Sequence, residues 1–148
     1  SALPSEQHFY MRELLDQSIE LIRFRSAELD IRINLSSKVQ ESQRRNLKGP
    51  IVTMLFYLIF SELLTLFNHE KLIAQKSLDD HGIEICLIPK GKDGSLELMI
   101  KEMSPTILNK LSGFIEESRL TAHLLSLMGQ SLNIDSINGI IALNTKRG

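Results

Sequence analysis

Apolar residues recur at steps of three and four between Phe9 and about Ala27, at Leu14, Leu15, Ile19 and Ile22, with polar residues between them. That spacing places one apolar stripe along a helix. The period then changes to two. Across Asp30 to Ser36, Ile31, Ile33 and Leu35 fall on one side and Arg32 and Asn34 on the other, which predicts a strand with one buried face. Lys38 to Lys48 is polar and reads as a connection. Gly49-Pro50 opens a second helix, Pro50 suiting a first turn that needs no amide donor, and the expected end lies near Asn68-His69.

After Asp79-Asp80-His81-Gly82 the pattern predicts a hairpin. Ile83 to Ile88 and Leu96 to Lys101 are strand-like, and Pro89-Lys90-Gly91-Lys92-Asp93-Gly94 supplies turn residues between them. Pro105 introduces a third helical region, where Leu120, Leu124, Leu127 and Met128 repeat at helical spacing and Gly129 is suited to end the helix. Leu132 to Ser136 and Ile140 to Asn144 predict a second hairpin around Ile137-Asn138-Gly139. Strands grouped in hairpins between helices imply an α+β fold, a two-layer α/β sandwich with helices packed on one face of a mixed sheet.

A chain of 148 residues with 43% hydrophobic and 24% charged residues has room for one ordinary globular domain. No linker divides it, so residues 11–148 read as a single domain and residues 1–10 as a tag or linker remnant. A start on Ser1-Ala2 is expected of a piece cut from a longer chain, and Ser1 to Glu6 lack the basic and apolar regions of a signal peptide. The net charge of −1 argues against general nucleic-acid binding, and the basic clusters Arg44-Arg45 with Lys48, and Lys146-Arg147, read as solvated surface. Cys86 is the single cysteine, which fits a reducing cytoplasm, and its apolar surroundings in sequence predict a packed thiol. The apolar run from Ile51 to Phe67 is shorter than the roughly 20 residues that span a bilayer, and Glu62 interrupts it. A core helix, with no membrane insertion, is the expectation.

Two segments resemble the catalytic domain of histidine kinases, the GHKL or Bergerat-type ATPase family. Met11-Arg12-Glu13-Leu14-Leu15-Asp16-Gln17-Ser18-Ile19-Glu20-Leu21-Ile22, followed by Ala27-Glu28-Leu29-Asp30-Ile31-Arg32-Ile33, is similar to that domain's opening helix and strand. Leu124-Leu125-Ser126-Leu127-Met128-Gly129-Gln130-Ser131-Leu132-Asn133-Ile134-Asp135-Ser136 is similar to its last helix, terminal glycine and following strand. The likeness spans nearly the whole chain and implies the family's ATPase fold.

The same resemblance implies a dismantled nucleotide site. The family's second helix carries an asparagine for Mg²⁺, often in Glu-Leu-x-x-Asn; here Glu62-Leu63-Leu64-Thr65 is followed by Leu66. In the family's other register Tyr57 and Ser61 take the asparagine positions, and Asn68 lies about 200° around the helix from Leu66. The Asp-x-Gly-x-Gly box, whose aspartate receives the adenine amino group, aligns with Glu102-Met103-Ser104-Pro105-Thr106. The phosphate loop would fall at Gly113 to Leu120, where only Gly113 remains and Glu116-Glu117 would repel phosphates. Thr106 to Ser112 is short for an ATP lid.

Glu62 and Glu102 are therefore the candidate site residues, remnants of a nucleotide site. Glu62 reads as a water-activating base or as a plain helix-surface carboxylate; Glu102 as a weak purine contact or a surface residue at a strand end. His8, His69 and His81 have no metal-ligand spacing. His123, followed by Leu124 and not by an acidic residue, is read as structural and not as a phosphate acceptor. No metal or catalytic grouping is expected. The resemblance implies a pseudokinase of the histidine-phosphotransferase type: a cytoplasmic, non-catalytic interaction or scaffold module that needs no cofactor. Its partner would be a response-regulator receiver domain or a histidine kinase, with self-association into a homodimer also open. Two alternatives stand beside it: a divergent domain that binds ATP and Mg²⁺ with Glu62 and Glu102 at work, and a structural dimerisation module using Met54 to Phe67.

Overall fold

The computed structural model describes residues 8–41, 44–74, 82–90 and 95–146. In chain order its elements are β1 (His8–Phe9), α1 (Met11–Leu21), α2 (Arg23–Leu29), β2 (Arg32–Ser37), β3 (Arg45–Asn46) and α3 (Gly49–Ala74). There follow β4 (Gly82–Lys90), β5 (Ser95–Ile100), α4 (Pro105–Glu117), α5 (Arg119–Met128), β6 (Gln130–Asp135) and β7 (Ile140–Thr145). Residues 91–94 and 79–81, read from sequence as turn residues and the start of the hairpin, lie outside the described residues.

Five strands form one mixed sheet in the order β2-β4-β5-β7-β6. β2 runs parallel to β4, Leu35 opposite Ile85, and the remaining neighbours are antiparallel. The parallel pair needs a long crossover, which α3 supplies. Ile83, Ile85 and Leu87 of β4, Leu96, Leu98 and Ile100 of β5, and Ile141 and Leu143 of β7 turn one face toward the helices and are buried. The expected two-layer α+β architecture is thus the observed one.

α3 lies between α1 on one side and α4 with α5 on the other. Val52, Leu55, Phe56, Ile59, Phe60, Leu63 and Leu64 are all buried in the core, and the rings of Phe56 and Phe60 meet at 5.7 Å. Each such side chain contributes about 1.5–3 kcal/mol by leaving water. Among the described residues α3 is the one helix long and apolar enough to cross a membrane. The seven buried side chains named above are those of a core helix, whereas Met54, Leu72 and Ile73 are exposed. It also runs past Asn68-His69 to Ala74, because residues 69–74 contain no breaker. Lys71 donates to the Leu29 carbonyl at 3.4 Å in that last stretch.

Three other elements differ from the sequence expectation. The first helix is two, broken at buried Ile22 (φ −98°, ψ 7°). The region after Pro105 is also two helices, each started by a serine: Ser104 Oγ accepts from the Thr106 amide and Ser118 Oγ from the Thr121 amide. Finally, Lys38 to Lys48 is more than a connection. It carries β3, which pairs with β1, so His8 and Phe9, assigned by sequence to the preceding remnant, are strand residues.

Gly129 ends α5 in the left-handed region (φ 65°), as its position predicted. Gly139, in the β6–β7 turn, is required twice over. Its φ is 71°, and a Cβ there would stand 2.8 Å from the Ile100 carbonyl oxygen.

Candidate functional site

At the end of β5, Lys101 and Glu102 turn the chain into α4. Glu102 adopts φ 52°, a left-handed conformation that strains a non-glycine residue. Its side chain is exposed at the rim of a cavity of about 790 Å³. Phe67 of α3, Met103, Cys86, Met99 and Lys101 also line that cavity. Cys86 alternates with buried Ile85 and Leu87 and faces away from the helices, half-buried. Asn34 bonds Glu84 Oε1 at 3.0 Å at the same end of the sheet.

Glu62 does not join Glu102 there. It is half-buried on α3 and is not among the residues lining the cavity. Phe67 lies five positions further on, about 140° around the helix, so the two point in different directions. Leu66 and Tyr57 pack against the core. A leucine side chain offers no oxygen to a hard cation such as Mg²⁺. Among the described residues no group of three His, Cys, Asp or Glu side chains could hold a metal. His8, His69 and His123 are exposed and separate; His81 lies outside the described residues.

The segment aligned with the lid and phosphate loop is helical. Ile107, Leu108, Leu111 and Ile115 of α4 enter the core, and only Ser118 separates α4 from α5. Gly113 is inside α4, and a Cβ on it would meet nothing within 4 Å. Nothing in the packing therefore requires a glycine at 113. Glu116 and Glu117 are exposed in the last turn of α4.

A second polar centre escaped the sequence reading. Tyr10, the N-cap of α1, makes no side-chain cap. Glu41 replaces it from 30 residues away: its two carboxylate oxygens accept the amides of Met11 at 3.0 Å and Arg12 at 2.9 Å. The Glu41 side chain is 5% exposed, and Arg45, 12% exposed, faces it at 4.0 Å. Arg45 is therefore not solvated surface. Arg44 lies over the Tyr10 ring at 5.3 Å and pairs with Glu13 at 3.5 Å. Arg12 donates to the Leu35 carbonyl and to Ser37 Oγ, both at 2.9 Å. Tyr10, Arg12, Glu13, Ser37 and Glu41, with Asp16 and Gln40, line a cavity of about 430 Å³. A periodicity search is blind to such a cluster, since its members meet only in the folded chain.

No protein-family sequence profile matches this chain, and no curated protein matches it. Solved structures do. The cytoplasmic segment of the histidine kinase QseC superposes with a TM-score of 0.57 at 11% identity, over 99% of this chain and 81% of that one. The nucleotide-free catalytic domain of the histidine kinase ThkA superposes with a TM-score of 0.55 at 10% identity, over 93% and 92%. With the sheet order, the helical layer and these two superpositions together, the chain has the fold of a histidine-kinase catalytic domain.

Proposed function

We propose that this chain is a degenerate histidine-kinase-like domain, a non-catalytic interaction or phosphotransfer-scaffold module in two-component signalling. The observation that carries the reading is the helical segment Pro105–Met128. Where the family resemblance calls for a lid and a phosphate loop, two helices pack into the core. A phosphate loop works by presenting free backbone amides; inside α4 the amides are committed to the helix. Glu116 and Glu117 at the helix C-terminus add negative charge where the dipole is already negative. Leu66 supports the same reading through its apolar packing. The partner proposed is a response-regulator receiver domain or a histidine kinase, with the phosphate-accepting histidine supplied by another segment or chain. Isothermal titration with Mg-ATP and with ADP is expected to give no binding heat. Micromolar affinity for either nucleotide overturns the proposal.

One observation favours a second reading, residual purine binding. Glu102 keeps a carboxylate in a strained conformation at the rim of a cavity large enough for a small ligand. Adenosine titrated against isotope-labelled protein should then shift the amide signals of Lys101, Glu102 and Met103. Unmoved signals at saturating adenosine remove this reading.

A further inference from the structure

The two edges of the main sheet are treated differently. At the β2 edge, Arg12 donates to the Leu35 carbonyl at 2.9 Å, and just before the strand Ser26 Oγ donates to the Ile31 carbonyl. Among the described residues β6 has no such cover. The backbone amide of Lys146 donates to the Gly129 carbonyl at 2.9 Å, which sets the alternation of the β6–β7 ladder. Odd-numbered residues of β6 then turn their N–H and C=O groups toward β7, and those of Leu132 and Ile134 point away from the sheet. No partner for these groups exists among the described residues. Edge strands are normally guarded by lysine, proline or a bulge. β6 reads Gln-Ser-Leu-Asn-Ile-Asp, with no proline, no basic residue and its one charge at the end.

We infer that the β6 edge pairs with β6 of a second copy of this chain, antiparallel about a two-fold axis, to form a continuous ten-stranded sheet. The strand is self-complementary in the register that centres Asn133 on the axis. Leu132 then stands opposite Ile134 of the second copy on the helix side. Ser131 stands opposite Asp135 on the open side, and Asn133 meets Asn133. Apolar residues meet apolar ones and no like charges are opposed, as cross-strand pairing favours. In this register Leu132 and Ile134 form hydrogen-bonded pairs, which matches the outward direction of their backbone groups. α5 packs on β6 and keeps Leu120 and Leu127 50% and 40% exposed, so pairing brings two partly apolar helices alongside each other. Within the Met54 to Phe67 stretch, Leu55, Phe56, Ile59, Phe60, Leu63 and Leu64 are buried in the core, which leaves it fewer apolar side chains to offer a partner.

Sedimentation equilibrium over a wide concentration series tests this, on the wild type and on Asn133→Lys and Asn133→Glu. Asn133 is exposed, so circular dichroism should show both variants folded. The wild type is expected to form a reversible dimer. Each variant opposes like charges across the axis and should weaken the dimer by about fivefold or more. Mixing the two variants should restore it, because a lysine then faces a glutamate. A wild type that stays monomeric, a dimer that neither variant weakens, or a mixture that stays dissociated overturns the inference.

Discussion

At the scale of single residues, two positions carry a cost that the fold does not recover locally. Thr121 is fully buried and its hydroxyl has no hydrogen-bond partner among the described residues. Thr121→Val keeps the shape and removes the unsatisfied group, so it should raise stability by about 1 kcal/mol. A urea unfolding midpoint above that of the wild type checks this. Glu102 is the other. Relieving its left-handed strain with Glu102→Gly should stabilise by about 1 kcal/mol, again read from the urea midpoint. A stabilised variant would mean that the conformation is held for something other than folding, which is the pattern of a functional remnant. From sequence only the residue types were readable at these positions. The strain and the missing partner depend on backbone angles and neighbours that no local pattern encodes.

At the scale of elements, the ends matter most. α1 begins without a local cap, and Glu41 satisfies its first amides across 29 to 30 residues of chain. Glu41→Ala frees two nearly buried amides and removes the carboxylate facing Arg45. A loss of about 2–3 kcal/mol is expected, with hydrogen exchange accelerated at Met11 and Arg12 before any other part of α1.

The β6–β7 turn gives a pH-dependent counterpart. Asp135 accepts from the Asn138 side chain at 2.8 Å, from the Asn138 amide at 3.0 Å and from the Ile137 amide at 3.2 Å. The Asn138 side chain first, then the two amides, hold its carboxyl below the ordinary 3.8. Because the folded value is the lower one, the contribution is complete above 3.8 and disappears as pH falls through the folded value. Asp135→Ala should therefore be less stable than the wild type at neutral pH and indistinguishable from it in strong acid, by urea unfolding at each pH.

These elements also separate local from long-range information. The serine caps of α4 and α5 and the Gly129 stop follow from residues in contact along the chain, and the sequence pattern predicts the end at Gly129. The division at Ser118 was missed because apolar spacing continues on both sides of it. β1 and β3 were missed because two-residue strands have no period.

At the scale of the whole molecule, α3 is the axis of the core. Phe56 is completely buried and touches Phe60. Phe56→Ala should cost about 3–5 kcal/mol, a large part of the roughly 5–15 kcal/mol that holds a domain together. Because helices and sheet share this one cluster, helical and strand signals should still be lost together, at a lower urea midpoint in circular dichroism and infrared spectroscopy.

The same scale decides the candidate site. Glu62 and Glu102, paired by sequence reasoning, are separated by helix phase: Glu102 reaches the cavity through the β5 turn, while Glu62 points elsewhere on α3. Gly113, the one residue that matched a phosphate loop, lies within a helix. Sequence periodicity alone determined the α+β class, the main helices, both hairpins and the apolar faces that drive the two layers together, because these depend on residues two, three and four apart. Only the tertiary structure decided the strand order, the remote capping of α1 by Glu41, the strain at Glu102 and the edge of β6 left unpaired among the described residues. Those depend on which distant surfaces meet and which backbone groups are left without a neighbour when they do.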